Sequence, residues 1–169
     1  MTVVEQDFGA YAAARWSSLV RSAVFLGCSV EEAQDLAQVT LLRCYVAWAR
    51  VQRADDRDAY VYRVLLNCLR DSRRRRWWGE RPTERLPEAP SRDGANDVDV
   101  ADAVHRAMGG LSKAHREVVV LRIFADLSEQ QTASALGVEI GTVKSRLARA
   151  LARLAADTHL LDLTEGPAR

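Results

Sequence analysis

The residues of this chain whose types and spacing could do chemistry are arginines. Residues 67–78 read NCLRDSRRRRWW, so that four consecutive arginines, Arg73 to Arg76, run into Trp77 and Trp78. Residues 63–78 hold six arginines against one aspartate, a net of +5, in a 169-residue chain whose formal charge is only +1. A second cationic set, Lys144, Arg146, Arg149 and Arg153, meets a single acid, Glu139, over residues 137–153, a net of +3. Guanidinium offers a rigid fork of donors that matches phosphate and a flat face that stacks on rings. The chemistry these sets suit is anion and nucleic-acid binding. Arginine content alone does not decide the matter, because an Ala- and Arg-rich composition also follows from GC-rich coding. A basic run is also compatible with a solvated face or a targeting tag.

Other chemistries find no residues. His105, His115 and His159 are isolated in sequence, and no Ser/His/Asp set is visible. The stretch GVEIGT lacks the lysine and the preceding strand of a phosphate loop. Cys28, Cys44 and Cys68 are widely spaced within apolar periodic segments, which reads as buried thiols in a reducing compartment. No paired Cys or His stands at zinc spacing. The expectation is a chain with no catalytic residue, no metal and no cofactor. No apolar run reaches the length of a membrane span, and the acid-bearing N-terminus does not resemble a signal peptide. A cytoplasmic protein without membrane insertion is expected.

The elements that must position the arginines are helices. Phe8, Tyr11, Ala12, Leu19, Val20, Ala23 and Val24 recur at helical spacing, with Trp16 beside them, and Gly27 stops the pattern. Ser29 and Glu32 form a capping box for a second helix, whose stripe is Ala33, Leu36, Ala37, Thr40, Leu41, Cys44, Ala47 and Trp48. A loop, ARVQRADDRD, leads to Asp56 or Asp58 as N-cap of a third helix. That helix carries Val61, Val64, Leu65, Cys68 and Leu69 on its apolar face and runs into the arginine cluster. Residues 79–98 lose all periodicity and read as a linker. The expected architecture is all-α: two small helical domains, residues 1–78 and 99–160, joined by a flexible linker over 79–98, with a tail over 161–169.

The stretch LSEQQTASALGVEIGTVKSRLARALARL, residues 127–154, carries the strongest local signal. Ser128 and Gln131 form another capping box. Ala133, Gly137 and Val143 then supply what a helix-turn-helix needs: a small residue at the helix crossing, a glycine for the turn and an apolar pin for the second helix. Lys144, Ser145, Arg146, Arg149 and Arg153 lie off the apolar stripe. A helix with that face fits the major groove, where its cations meet base edges or phosphates.

The order of segments resembles one family. EEAQDLAQVTLLRCYVAW (31–48), AYVYRVLLNCLRDSRRRR (59–76) and the helix-turn-helix follow one another as in the sigma-70 family of bacterial RNA polymerase sigma factors. The likeness is greatest to its extracytoplasmic-function (ECF) group and the sigma-E-like proteins within it. The resemblance runs from about Phe8 to Leu154. It implies that region 2 comprises the N-terminal helices, where Asp35, Gln38 and Arg43 dock on core RNA polymerase; these three, with Thr40, read as a mixed polar surface beside the apolar stripe, as a partner helix requires. It implies that Arg63, Asn67, Arg70, Arg73 and Arg74 meet the −10 promoter element, where a base is flipped out of the stack. It places region 4 in the C-terminal helices, with Thr142, Lys144, Ser145, Arg146 and Arg149 at the −35 element. Core RNA polymerase, promoter DNA and an anti-sigma factor are the implied partners. Val39, Glu139 and Ile140 depart from the usual family pattern.

Two expectations are open. Residues 79–102 carry seven acids against three arginines, a net of −4, which suits either a nucleic-acid mimic in the polymerase channel or a solubilising tether. Trp77 and Trp78 suit packing at the end of the domain better than base stacking. The competing function is a stand-alone helix-turn-helix regulator that binds operator DNA without polymerase.

Overall fold

The computed structural model describes residues 2–79, 95–158 and 160, and every regular element among them is helical. In order these are α1 (Val3–Phe25), α2 (Val30–Val46), α3 (Trp48–Arg53), α4 (Arg57–Gly79), α5 (Ala95–Gly109), α6 (Lys113–Val119), α7 (Glu129–Leu136) and α8 (Ile140–Ala155). A π-helical turn, Val120–Phe124, continues α6. None of these helices is long and apolar enough to cross a membrane.

The helix starts follow from side-chain caps. Thr2 with Glu5, Ser29 with Glu32 and Ser128 with Gln131 each close a reciprocal capping box, satisfying N–H groups that a helix leaves unpaired. Asp56, not Asp58, caps α4, accepting from the Ala59 N–H at 2.8 Å. Asp58 instead accepts from the Tyr11 hydroxyl at 2.7 Å and pairs with Arg15. Burial, reinforced by Asp58, pushes the Tyr11 phenol well above its ordinary value. Gly27 ends the first helical segment at φ +100°, a conformation that side chains with a Cβ resist.

The N-terminal core is built by α1, α2 and α4, with Leu19, Ala23, Leu36, Leu41, Val61 and Leu65 buried together around Trp48. The residues read as loop between α2 and α4 include α3, which the alternation pattern missed because a six-residue helix shows less than two turns of periodicity. Trp48 anchors it. Its indole donates to Asp7 at 3.2 Å, and Phe8 meets it edge-on at 5.2 Å. In the C-terminal part Val118, Ala133 and Val143 form the buried crossing of the helix-turn-helix.

The two sets of helices pack on one another. Phe25, the last residue of α1, stacks on Phe124 of the π turn at 3.9 Å between ring centroids and 21° between planes. The buried cluster runs without a break from Leu19 and Leu65 to Leu121, Leu127 and Ala135. The expected linker is narrower than its composition suggests: Gly79 still belongs to α4, and α5 starts at Ala95. The acids Glu80, Glu84, Glu88 and Asp93, and the tail 161–169, lie outside the described residues.

Two expectations are corrected. Thr40, read beside Asp35, Gln38 and Arg43 as part of a polar surface, is fully buried and donates its hydroxyl to the Leu36 carbonyl at 2.7 Å. A threonine can satisfy its polar atom within its own helix and so sit in a core. Trp77 does not pack at the domain end: it is 87% exposed. At the last turn of α4 it has passed beyond the helices that could cover it. The Trp78 side chain lies outside the described residues.

Candidate nucleic-acid interface

Helix α4 presents the first cationic face. It spans 23 residues, and arginine suits its final turns twice over, as a good helix former and as a cation near the negative end of the helix dipole. Arg63, Asn67, Arg70, Arg73 and Arg74 all keep exposed stems along it. Their head groups are engaged. Arg63 donates to the Ser134 carbonyl of α7. Arg70 donates to the Asn67 side-chain amide oxygen at 3.4 Å and lies 3.6 Å from the Glu117 carboxylate of α6. Arg73 donates to the Leu26 carbonyl at 2.5 Å, and Arg74 pairs with Asp71 at 3.4 Å. The structure therefore brings the five together on one exposed helix face, with at least one N–H of each arginine engaged, those of Arg63 and Arg70 by the C-terminal helices.

Helix α8 presents the second. Gly137, left-handed at φ +67° and ψ +40°, turns the chain from α7 into α8. No atom lies within 4 Å of where its Cβ would stand, so backbone conformation alone explains the glycine. Val143 and Ala150 face inward; Lys144, Ser145 and Arg149 are exposed and Arg146 is half-buried. Thr142 is half-buried, and its carbonyl accepts from the Ser145 hydroxyl at 3.1 Å. Lys144 pairs at 3.4 Å with Glu129, which lies on α7 of the same motif. Arg153 is exposed and donates its Nε–H to the Gly110 carbonyl at 3.2 Å. Among the described residues Arg146 and Arg149 have no hydrogen-bond or ion-pair partner.

The third face is that of α2. Asp35, Gln38 and Arg43 are exposed on it, and Arg43 pairs with Asp71 at 3.4 Å. Asp71 thus holds one arginine from α2 and one from α4. Sequence reasoning missed the apolar side chains that share this face: Val39, Leu42, Tyr45 and Val46, the last 82% exposed. With Phe8, Ala12 and Trp16 of α1, Leu42 and Tyr45 border a shallow apolar groove. The signal was available: those residues fall outside the buried stripe of α2, so they had to face elsewhere.

One side chain joins the two sets of helices at their capping sites. The Gln131 amide oxygen accepts from the Ser128 N–H at 2.7 Å within its own box, while its NH₂ group donates to Asp56 at 2.6 Å. Asp56 in turn caps α4 through its other oxygen.

Comparison with known proteins agrees with this layout. The family model for sigma-70 region 2 matches residues 8–79, and that for sigma-70 region 4 matches residues 101–154. The RNA polymerase sigma-E factor of Streptomyces coelicolor is 39% identical over 162 residues, covering 93% of this chain and 89% of its own. The ECF RNA polymerase sigma factor SigM of Mycobacterium tuberculosis is 35% identical over 126 residues, covering 74% of this chain and 63% of its own. Among solved structures, the sigma factor RpoE of Bartonella quintana, in complex with the anti-sigma factor NepR, superposes with a TM-score of 0.74 at 25% identity, covering 96% of this chain and 99% of that one. CnrH, in complex with the cytosolic domain of CnrY, gives a TM-score of 0.69 at 26% identity, covering 94% of this chain and 89% of its own.

Proposed function

The chain belongs to the sigma-70 family, in its extracytoplasmic-function group, and we propose that it carries core RNA polymerase to promoters by dividing the work among its three faces. Helix α2 docks on polymerase through Asp35, Gln38 and Arg43, with Leu42 and Tyr45 supplying apolar contact. Helix α4 engages the −10 element through Arg63, Asn67, Arg70, Arg73 and Arg74. Unstacking a base costs a few kcal/mol, which phosphate contacts and the polymerase complex must offset. Helix α8 enters the major groove at the −35 element with Thr142, Lys144, Ser145, Arg146 and Arg149. The role is binding and positioning, with no bond made or broken by this chain. The two solved relatives were captured with an anti-sigma factor or with CnrY, and a partner of the anti-sigma kind is proposed here too.

The observation that carries this reading is that, among the described residues, two long helices, α4 and α8, present cationic faces, and of these two only α8 belongs to a helix-turn-helix. A stand-alone regulator needs one DNA-reading helix per copy and has no use for a second beside an exposed mixed face on α2. Gel filtration with core polymerase, followed by run-off transcription on a promoter library, tests it. Co-elution and start sites preceded by a shared pair of elements are expected. Tight binding to duplex DNA without co-elution would instead establish the stand-alone regulator.

A further inference from the structure

We propose that the turn between α1 and α2 forms one wall of a binding site for a small phosphate-type anion, held between Arg73 of α4 and Arg116 of α6. Two like charges converge there. Gly27 stands at φ +100°, and a Cβ placed on it would lie 3.3 Å from Arg116 Nη1 and 3.4 Å from Arg73 Nη2. Guanidiniums that approach one point so closely repel each other. The bonds they make among the described residues all run to carbonyls, none to a carboxylate.

The donors that remain point towards one another. Arg116 spends its Nε–H on the Met108 carbonyl at 2.9 Å, and its Nη2 on those of Gly109 and Leu111 at 2.9 and 3.1 Å. Three carbonyls thus fix the plane of the head group. Its Nη1, the nitrogen over Gly27, has no acceptor among the described residues. Arg73 donates once, from Nη2 to the Leu26 carbonyl at 2.5 Å, and keeps Nη1 and Nε. Burial, and then the charge of Arg73, lowers the Arg116 pKa from its ordinary value, and an anion between the two relieves both effects. Phosphate oxygens match the forked donors of guanidinium.

The space beside the turn sets the size of the ligand. A cavity of about 250 Å³ opens there, with Gly27, Cys28, Ser72, Arg73, Arg75 and Arg76 on its wall. Pockets for drug-sized ligands and cofactors run from about 300 to 1,000 Å³. The smaller volume fits inorganic phosphate or diphosphate, or one phosphate of a longer chain. Two acids share the wall, Glu32 and Asp35. Glu32 pairs with Arg76 at 2.6 Å through one oxygen and accepts the Ser29 N–H at 2.9 Å through the other, so its charge is spent. Asp35 is exposed, which leaves Arg73, Arg75 and Arg116 in excess over it. Gly27 contributes by having no Cβ to fill the approach to the two guanidiniums. The site stands whether or not α4 reads the −10 element.

Inorganic diphosphate is the probe, titrated into the full chain at constant ionic strength with chloride as the balancing anion. Saturable binding should raise the melting temperature by about 5 °C at a hundredfold excess over Kd. Cys28 gives a local readout because it lines the cavity, and its alkylation by neutral iodoacetamide should slow several-fold when the site is filled. Arg73→Gln and Arg116→Gln each remove a charged donor and should weaken binding by about tenfold or more, and the protection of Cys28 should go with it. A melting shift that never saturates and survives both variants is the general exclusion of phosphate from protein surface, and would overturn the site. Should Arg116→Gln fail to fold, Cys28 in the unaltered chain decides, and unchanged alkylation under diphosphate and oligonucleotide alike would overturn the proposal. A short single-stranded oligonucleotide, titrated in parallel, separates the sources of the phosphate. Protection by diphosphate assigns the site to a free anion. Protection by the oligonucleotide alone, lost in Arg116→Gln, assigns it to a backbone phosphate.

Discussion

Helices α4 and α8 make an instructive pair. Both are amphipathic, both carry arginine at steps of three or four residues, and on sequence alone both read as DNA-facing. They differ in what their cations touch. On α8, Arg146 and Arg149 project from a motif that has a buried cluster of its own, Val118, Ala133 and Val143. On α4, Arg63 and Arg70 are held by residues more than forty positions away in the chain. A cationic face is therefore not the same thing as an available one. Availability is set by tertiary partners, which local pattern does not encode.

Experiments can break that contrast or sharpen it. The largest effect should come from the core. Leu65 is fully buried on the inner face of α4, and Leu65→Ala should cost about 2–5 kcal/mol. Because the buried cluster crosses from the N-terminal to the C-terminal helices, chemical denaturation followed by tryptophan fluorescence and by duplex binding should give coincident transitions. Separated transitions would mean that the two regions fold as independent units.

Next comes the recognition helix. Arg146→Ala or Arg149→Ala should weaken −35 duplex binding by about 1–3 kcal/mol if the side chain reads a base. If it holds only a phosphate, the salt slope should instead fall by about one with little change in sequence preference. Fluorescence anisotropy across a salt series separates the two roles.

A smaller effect is expected at the turn. Gly137→Ala forces a Cβ into a left-handed conformation and should destabilise the C-terminal helices by about 1 kcal/mol, read as a lower melting temperature. The side chains of α4 should not notice, provided the two sets of helices remain packed.

The smallest concerns the thiols: Cys44 lies on α2, Cys68 on α4 and Cys28 in the turn between α1 and α2. Burial, with a lesser contribution from Cys68, pushes the Cys44 thiol up to about 12 from its ordinary value of 9.0. The unfolded chain then sheds this proton first. The resulting stability is complete below about pH 9 and is lost as the pH rises towards about 12. Half-buried Cys28 should react with a thiol reagent before Cys44 or Cys68, both of which are buried. Simultaneous labelling of all three would mean that the N-terminal core opens more readily than the recognition helix detaches.

Much of this was legible in the residues because its causes are local. Ser29 with Glu32 and Ser128 with Gln131 announce helix starts three residues apart. Gly27 and Gly137 mark turns that need positive φ, and Ala133 with Val143 marks a helix crossing. What escaped was non-local or short. Helix α3 and the π turn Val120–Phe124 are too brief for periodicity to register. Thr40 looked polar because its hydroxyl counts as polar until a carbonyl one turn back satisfies it. Trp77 looked buried because tryptophan usually is, but its fate depends on whether another helix reaches the end of α4. The engagement of Arg63 and Arg70 needed Ser134 and Glu117, and nothing in their own neighbourhood names those partners.

The Gln131 side chain has a kinetic consequence. Its oxygen serves the start of α7 and its nitrogen serves Asp56, which starts α4 with its remaining oxygen. Separating the two sets of helices breaks the bond between them and leaves both capping arrangements whole. No helix has to unwind on opening or nucleate again on closing. Any separation of the two sets of helices should then run at the microsecond-to-millisecond pace of rigid bodies.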